Sequence, residues 1–501
     1  MSAEASKPAA RWGFWGGLVA ALAVGCASPW LGPALGLEPE AGRMLAVTLW
    51  VGIWWVTEAL PIGATSLLPL AAFPVLGIAS AAETSPSYAA PVVMLLLGGF
   101  LLALTVERSG AHRRLALWVL LTLGTSPRRL VLGFAVAAAV LSMWISNTAT
   151  TLIMMPVALA VSDRAAPADA DRAPEQAGAA RRFGLAVLLG TAYGASVGGM
   201  GTPVGTPPNL IAMAALARTF PQGPEVTFLT WIAVAGPAIV AVVPVTWWML
   251  TRVYPRVPVG LELGARPVLE AELRKLGPWR TAELRSLGVF GMAALLWITR
   301  SDLALGGGVE VAGWASRLGL EGTHDSTVAM AAALLAFAMP SGESDGSRLL
   351  PWSTAVRVPW GLVLLFGGGI ALAVGFERTG LSQALGEGLA QLGQASWPLF
   401  VLAVCFGCTF GTEIISNTAL ANIAMPIFAA TAQTLGQDPR ALLVPAAMAC
   451  SCAFMMPTAT GPNAIVFGSG RLRIVEMIRA GFFVNLAAWV LIVALALLSY
   501  R

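Results

Sequence analysis

One stretch of this chain is written twice. Ser-Asn-Thr-Ala-Thr-Thr-Leu-Ile-Met-Met-Pro from Ser146 to Pro156 aligns with Ser-Asn-Thr-Ala-Leu-Ala-Asn-Ile-Ala-Met-Pro from Ser416 to Pro426, an offset of 270. Upstream, Gly98-Gly99 and Glu107-Arg108-Ser109-Gly110 fall on Gly368-Gly369 and Glu377-Arg378-Thr379-Gly380 at the same offset of 270. Downstream, Gly205-Thr206-Pro207-Pro208-Asn209 answers Ala459-Thr460-Gly461-Pro462-Asn463 at an offset of 254. The difference of 16 fits a polar insert from Asp163 to Arg182 that only the first half carries. A register kept through separate stretches means a repeated structural unit, so both halves must adopt one architecture.

That architecture lies in a membrane. Of 501 residues, 57% are hydrophobic and only 11% charged, against about 25% charged in soluble domains. Windows of about 20 apolar residues match a hydrocarbon core of ~30 Å. They recur near Trp12–Trp30, Met44–Trp55, Leu60–Ile78, Pro91–Val106, Phe183–Val197, Trp231–Leu250, Leu287–Ile298, Val328–Met339, Gly361–Phe376, Leu442–Met455 and Phe482–Leu498. The pattern predicts an all-α polytopic membrane protein of about 11 transmembrane helices, plus two special segments. The first apolar segment is long and lacks a small-residue cleavage motif, so it is expected to stay as a span. Cys26, Cys405, Cys408, Cys450 and Cys452 all lie in apolar runs, where a free thiol behaves as a small hydrophobe. Neither a disulfide framework nor a metal cluster is expected of them, because no charged or histidine shell surrounds them.

Charge placement orients the chain. Between Glu107 and Arg129 five Arg face one acid, and between Arg252 and Arg285 seven Lys/Arg face four acids, so both loops are expected in the cytoplasm. Glu38, Glu40 and the stretch Arg300–Asp325 should face outward. The mate of the first basic loop, Glu377–Ser396, holds only Arg378 against Glu377 and Glu387. The two halves are therefore expected upside down relative to one another, a common plan among secondary transporters. The net charge of +4 is dispersed over short loops and points to no nucleic-acid partner.

From Leu130 to Ser162 there is no charge, too long a run for one span and too short for two. A re-entrant hairpin resolves this, with half-helices Leu130–Ile145 and Ala149–Val161 and Ser146-Asn147-Thr148 at the tip. The second copy reads as Trp397–Gly411, then Ser416-Asn417-Thr418, then Ala419–Leu435. Ser and Asn are N-cap residues, so such a tip starts the second half-helix. Exposed backbone of this kind survives in a membrane only against protein or a water-filled cavity. The Gly-Thr-Pro-Pro-Asn and Ala-Thr-Gly-Pro-Asn stretches should break two further helices, because proline removes an amide and glycine permits unusual dihedrals. A break frees carbonyls for hard cations such as sodium, and amides for carboxylate oxygens. Gly198-Gly199-Met200-Gly201 lacks the strand and the Lys-Ser/Thr of a phosphate loop.

The chain resembles the divalent-anion sodium symporter family, whose members carry succinate, malate, citrate or sulfate. The resemblance rests on the paired Ser-Asn-Thr tips, Thr412-Glu413 before the second, both Pro-Asn breaks and Trp54-Trp55-Val56-Thr57-Glu58-Ala59-Leu60-Pro61, all in order. It implies an elevator-type transporter with re-entrant hairpins in inverted repeats, working as a homodimer, with sodium co-transported. The implied metal ligands are Ser142, Ser146, Asn147 and Gly205 at one site, and Thr412, Ser416, Asn417 and Ala459 at the other. The implied substrate ligands are Ser146, Asn147, Thr148, Thr206, Ser416, Asn417, Thr418 and Thr460. The implied division is scaffold (1–106 and 287–376), interfacial linker helices (107–127 and 377–395), a cytoplasmic loop (256–286) and transport parts (128–255 and 396–501). Gly461 departs from the first half, which has Pro207, and leaves the second sodium site less defined.

The residue chemistry agrees. A dianion needs counter-charge, the tips carry no Lys, Arg or His, and captured cations are the natural supply. His112 and His324 fall in expected loops, which argues against a histidine proton relay. Glu413 is read either as electrostatic support for a cation or as a hydrogen-bonding anchor, and Glu58 as structural. Trp54-Trp55 and Trp247-Trp248 read as membrane-interface anchors. The main alternative is sodium-independent exchange; a sulfate or citrate carrier stays open, since hydroxyls and amides meet all these anions. An ion permease or channel is a further class. An intramembrane enzyme lacks a nucleophile–base set or a His-Glu-x-x-His motif. A four-carbon dicarboxylate is favoured because no basic group marks a third carboxylate. The Ala/Gly/Arg-rich composition suggests a bacterial inner membrane.

Overall fold

A computed structural model describes residues 8–34, 38–165, 174–259, 261, 264–304, 310–394 and 396–500. The middle of the polar insert, residues 166–173, lies outside them. The chain opens with α1 (Pro8–Ala34) and α2 (Pro39–Thr57), packed along one another, then short helices α3 (Ile62–Thr65), α4 (Leu68–Leu76) and α5 (Ala81–Thr84). The first repeat follows as α6 (Pro91–Ser109), α7 (Ala111–Leu123), α8 (Pro127–Ser142), α9 (Asn147–Arg164), α10 (Pro174–Gly199), α11 (Pro207–Thr219) and α12 (Phe228–Trp248). A middle section holds α13 (Ala265–Lys275), α14 (Thr281–Ile298), α15 (Trp314–Arg317), α16 (Asp325–Ala338) and α17 (Trp352–Ala355). The second repeat is α18 (Trp360–Arg378), α19 (Leu381–Gly393), α20 (Trp397–Gly411), α21 (Asn417–Thr434), α22 (Arg440–Cys450), α23 (Gly461–Gly468) and α24 (Ile474–Ser499). Among the described residues the only strands are the two-residue pair Leu303–Ala304 and Glu310–Val311, antiparallel.

Six helical stretches among the described residues are long and apolar enough to cross a membrane: Ala10–Ser28, Ala81–Ser109, Phe228–Val253, Thr281–Ile298, Trp360–Arg378 and Ile474–Ser499. The five other expected windows fall on α2, α3–α4, α10, α16 and α22. Three of these windows, those on α3–α4, α16 and α22, are shorter apolar pieces. The remaining two helices carry charges in their early turns, Glu40 and Arg43 on α2, and Glu175, Arg181 and Arg182 on α10.

Repetition is visible residue by residue. α9 and α21 run over positions 147–164 and 417–434, again 270 apart. Proline opens α6 and α8 at the first helical position, where its missing amide costs nothing. Gly110 (φ +81°) and Gly380 (φ +68°) end α6 and α18 in left-handed conformation and turn the chain at once into α7 and α19. Both expected linker segments are thus helical, and His112 lies on α7, not in a loop. It is buried there, 2% exposed, because the glycine turn leaves no intervening loop.

Small residues set the closest packing. A Cβ on Gly194 would lie 2.4 Å from Ala135 O, and one on Gly198 2.1 Å from Ala139 O, so α10 meets the backbone of α8 directly. Two expectations for tryptophan need correcting. Trp54 and Trp55 are buried, the first donating to Phe14 O (3.1 Å) and the second to Ser66 Oγ (3.2 Å). Packing against α1 and the loop after α3 withdraws them from any lipid-facing belt. Glu58 is the left-handed C-cap of α2 (φ 50°), its N–H returning to Trp54 O.

The two basic loops meet. Buried Arg114 pairs with buried Glu283 (3.2 Å) and donates to the carbonyls of Leu276, Gly277 and Pro278, while Arg128 Nε reaches Val257 O (3.0 Å). Acidic residues gather beyond the other end of α14, where Arg300 binds Asp325 (2.6 Å) and Glu225 (2.8 Å). This separation by one span is the arrangement the charge count anticipates.

Candidate functional site at the paired tips and breaks

Ser146 and Ser416 are the N-caps of α9 and α21, and Asn147 and Asn417 are their first helical residues. Gaps of four residues (143–146) and five residues (412–416) separate these helices from α8 and α20. Ser146 Oγ accepts the N–H of Ala149 (3.3 Å); Ser416 makes no such cap, leaving its hydroxyl uncommitted to the helix end.

The two tips share one internal bond. Ser142 Oγ donates to Asn147 Oδ1 (2.7 Å), and Thr412 Oγ1 to Asn417 Oδ1 (2.6 Å). Each pair fixes an asparagine side chain so that its oxygen faces back toward the preceding helix. Thr412 Oγ1 also lies 2.8 Å from Cys450 O, joining the second tip to the end of α22.

The breaks repeat just as closely. Asn209 Nδ2 donates to Gly199 O (3.0 Å) and Thr202 O (2.7 Å); Asn463 Nδ2 donates to Ala453 O (3.0 Å) and Met456 O (3.0 Å). Each acceptor pair differs by the same 254 as the asparagines themselves. A buried asparagine therefore holds carbonyls that the interrupted helix leaves without an intrahelical amide. Thr460 caps α23 by accepting from Asn463 N (3.4 Å).

Tips and breaks are brought together within and between halves. A Cβ on Gly199 would fall 2.4 Å from Asn147 Oδ1, and one on Gly205 2.4 Å from Gly199 O, so the first tip lies against the first break. Thr202 Oγ1 donates to Met143 O at the same place. A Cβ on Gly461 would meet Thr148 Oγ1 at 2.1 Å, so the first tip also lies against the second break. Gly461 is one of two points where the break stretches differ in sequence, the other being Ala459 for Gly205, and at Gly461 the structure supplies the reason: Thr148 occupies the space a side chain would need.

Glu413 holds the second break to the second tip. Its carboxylate accepts the N–H groups of Phe454 (2.7 Å), Met455 (2.8 Å) and Met456 (2.8 Å), and Asn485 Nδ2 on α24 donates to it as well (2.8 Å). Consecutive amides on one carboxylate form a charge-assisted anchor, which realises the anchoring reading of Glu413. The first half has Met143 at this position, and Trp231 Nε1 donating to Met200 O (2.9 Å) joins α12 to the break instead.

Ser142, Gly205, Thr206, Thr412 and Thr418 are buried; Ser146, Asn147, Ser416, Asn417, Ala459 and Thr460 are half-buried, and Thr148 is exposed. The accessible face of the cluster thus carries amides and hydroxyls. A separate cavity of about 400 Å³, between α11, the loop 220–226 and the start of α6, holds none of these residues and is mostly apolar.

A helical membrane carrier with broken helices and capped tips is the class this architecture defines, and known proteins agree. The sequence profile of a family described as "Sodium:sulfate symporter transmembrane region" matches residues 13–500. The chain belongs to that family. The sodium-dependent dicarboxylate transporter SdcS of Staphylococcus saprophyticus is 38% identical over 459 residues, covering 91% of this chain and 86% of that protein. The protein of the same name from Staphylococcus aureus strain bovine RF122 is 37% identical over 455 residues, covering 91% and 85%. Solved structures share the fold. The YdaH transporter of Alcanivorax borkumensis is 15% identical with a TM-score of 0.55, covering 90% of this chain and 98% of that one. MtrF of Neisseria gonorrhoeae is 13% identical with a TM-score of 0.55, covering 83% and 82%.

Proposed function

We propose that this chain is a sodium-coupled symporter of divalent organic anions, with C4-dicarboxylates such as succinate, malate or fumarate as cargo. The observation that carries this reading is the twice-built unit of a Ser-Asn-Thr tip, its asparagine held by a hydroxyl, beside an asparagine-held break, with neutral dipoles and no Lys, Arg or His at either tip. Such a site binds a dianion only with cations alongside. Sodium at one site takes oxygens from Ser142, Ser146, Asn147 and Gly205, and at the other from Thr412, Ser416, Asn417 and Ala459. The anion meets Ser146, Asn147 and Thr148, their mates Ser416, Asn417 and Thr418, and Thr206 and Thr460. Relatives 37–38% identical over nine-tenths of the chain carry sodium-dependent dicarboxylate transport in their names, which supports the same coupling here.

In this reading the tips are re-entrant hairpins entering from opposite faces of a bacterial inner membrane. The transport parts (128–255 and 396–501) slide as an elevator against a dimer-forming scaffold (1–106 and 287–376). α7 and α19 are the linkers.

Proteoliposome uptake of labelled succinate tests the proposal. Accumulation is expected with an inward sodium gradient and not with potassium, and Asn147→Ala or Asn417→Ala should abolish it in folded protein. Equal uptake in potassium would remove sodium from the mechanism, and near-normal uptake in either variant would remove the tips. Competition by citrate or sulfate ranks the cargo.

A further inference from the structure

Two cavities along α7, where the two basic loops expected in the cytoplasm meet, differ in character and share four lining residues, Arg113, Ile153, Lys275 and Leu276. One, of about 490 Å³, is polar and is also lined by Arg108, His112, Arg280, Glu107 and Glu283. The other, of about 520 Å³, continues over Leu117, Leu120, Leu152, Met154 and Val157. They are the two ends of one amphipathic crevice between α7, the C-terminus of α13 and the first-tip helix α9.

The polar end has surplus positive charge. Glu283 is committed to Arg114 and to the Arg280 N–H (2.8 Å), and Glu107 to Arg357 (3.4 Å). Lys275 pairs with Glu272 (2.5 Å). Arg108 spends its donors on neutral acceptors, Arg348 O, Leu349 O and Ser347 Oγ; Arg280 binds Ser109 O and, at 3.5 Å, Glu343. Exposed Arg113 has no side-chain hydrogen bond or ion pair among the described residues. His112 adds an unsatisfied group: its Nδ1 donates to Val106 O (3.1 Å), and its Nε2 is buried without a partner. Burial lowers its pKa, a tendency the Val106 bond opposes and Arg113 reinforces, so Nε2 is a lone-pair acceptor awaiting a donor.

The level of the crevice is set by aromatics. Trp118 (62% exposed) and Trp279 (43%) line a neighbouring cavity with Arg114, which stacks on Trp279 at 4.7 Å; exposed tryptophans of this kind mark the membrane–water interface. Leu152, lining the apolar end, is 55% exposed and opens it sideways toward hydrocarbon.

We infer that this crevice is a binding site for an anionic phospholipid whose headgroup carries a hydroxyl, such as phosphatidylglycerol. The phosphate lies among Arg108, Arg113, Lys275 and Arg280; a glycerol hydroxyl donates to His112 Nε2; one acyl chain follows Leu117, Leu120 and Val157. Basic pockets beside membrane helices on the cytoplasmic side bind such headgroups at roughly a fivefold gain in affinity per Lys or Arg near the surface. The lipid would bridge α7 to α9, the helix that begins at the first tip. This inference needs only that the chain is a membrane protein, and it stands or falls apart from the transported anion.

Native mass spectrometry and thermal unfolding of the full-length protein in detergent test it. Dioleoylphosphatidylglycerol is expected to bind in the mass spectrum and raise the Tm, dioleoylphosphatidylcholine at equal concentration to do neither, and dioleoylphosphatidylethanol, a phosphodiester of the same charge without a headgroup hydroxyl, to bind more weakly. Arg113→Ala with Lys275→Ala should weaken phosphatidylglycerol binding by roughly 25-fold, two fivefold steps; His112→Ala should bring phosphatidylglycerol down to the phosphatidylethanol level. Arg266→Ala, outside the crevice, should change nothing. Equal binding of phosphatidylcholine, or an Arg113/Lys275 double variant that binds normally, would overturn the site. Full displacement by inorganic phosphate would make it a free-anion site and overturn the lipid.

Discussion

At Gly461 the second half gives up the proline of the first, and Thr148 fills the space. A methyl group there meets Thr148 Oγ1 at 2.1 Å and its Cβ and Cγ2 at 3.1 Å, closer than real contacts allow. Gly461→Ala is therefore expected to cost about 1–3 kcal/mol through overpacking, and the thermal midpoint should fall. Thr148→Ala removes the obstructing atoms, so the double variant should recover much of the loss. That non-additivity, read in a double-mutant cycle, checks the contact between the halves. Glu413 offers a second comparison. Removing Asn485 leaves the carboxylate with three amide donors. Asn485→Ala should thus cost about 1 kcal/mol, whereas Glu413→Gln keeps an oxygen for Phe454 and Met455 but turns its NH2 toward the Met456 amide and removes the charge, and should cost about 2–3 kcal/mol. Similar unfolding midpoints for both would show that the amides do not depend on the charge.

Among elements, those with a local chemical signal could be read from the chain alone. α20 begins and ends where expected, Trp397–Gly411, and both serine N-caps fall at the tips. What the sequence concealed were partners distant along the chain. Pro-Pro-Asn and Gly-Pro-Asn announced a break through proline and glycine, yet the asparagine that stabilises each break acts on carbonyls seven and ten residues back, over a path no local rule describes. Likewise Asn485 sits in an apolar helix with nothing beside it to suggest Glu413, 72 residues away. The buried Trp54 and Trp55 misled for the same reason, since α1 covers the first and Ser66 receives the second. The repeat makes a paired prediction at this scale. Asn209→Ala strands Gly199 O and Asn463→Ala strands Ala453 O, while Thr202 O and Met456 O keep the N–H groups of Gly205 and Ala459; each variant should lower stability by about 1–3 kcal/mol and diminish the rise in Tm expected with sodium. Asp at either position restores no donor and should not rescue; an Asp variant matching the parent would mean that the carbonyls are satisfied another way.

At the scale of the molecule, charge counting brought the two basic loops to one end and the acidic stretch to the other, because topology leaves that statistic in the sequence. The way the halves interlock was not legible, since α11 packing on α21 and α9 on α23 are contacts between segments hundreds of residues apart. Those contacts bind the tips and breaks of both halves into one body, which is what the proposed elevator would have to move. A tie from that body to its surroundings is Arg218 on α11, which pairs with Glu377 at the end of α18 (2.7 Å), both side chains partly exposed. If the transport parts slide past α18, this pair must separate in each cycle. Arg218→Cys with Glu377→Cys, joined by a short thiol-cleavable cross-linker, is expected to stop succinate uptake in proteoliposomes, and reduction to restore it. Each single cysteine should transport before and after the same treatment, since an exposed ion pair contributes only about 0–1 kcal/mol. Uptake that persists when cross-linking is complete would mean that α11 and α18 travel together, and the sliding boundary would then have to be drawn elsewhere.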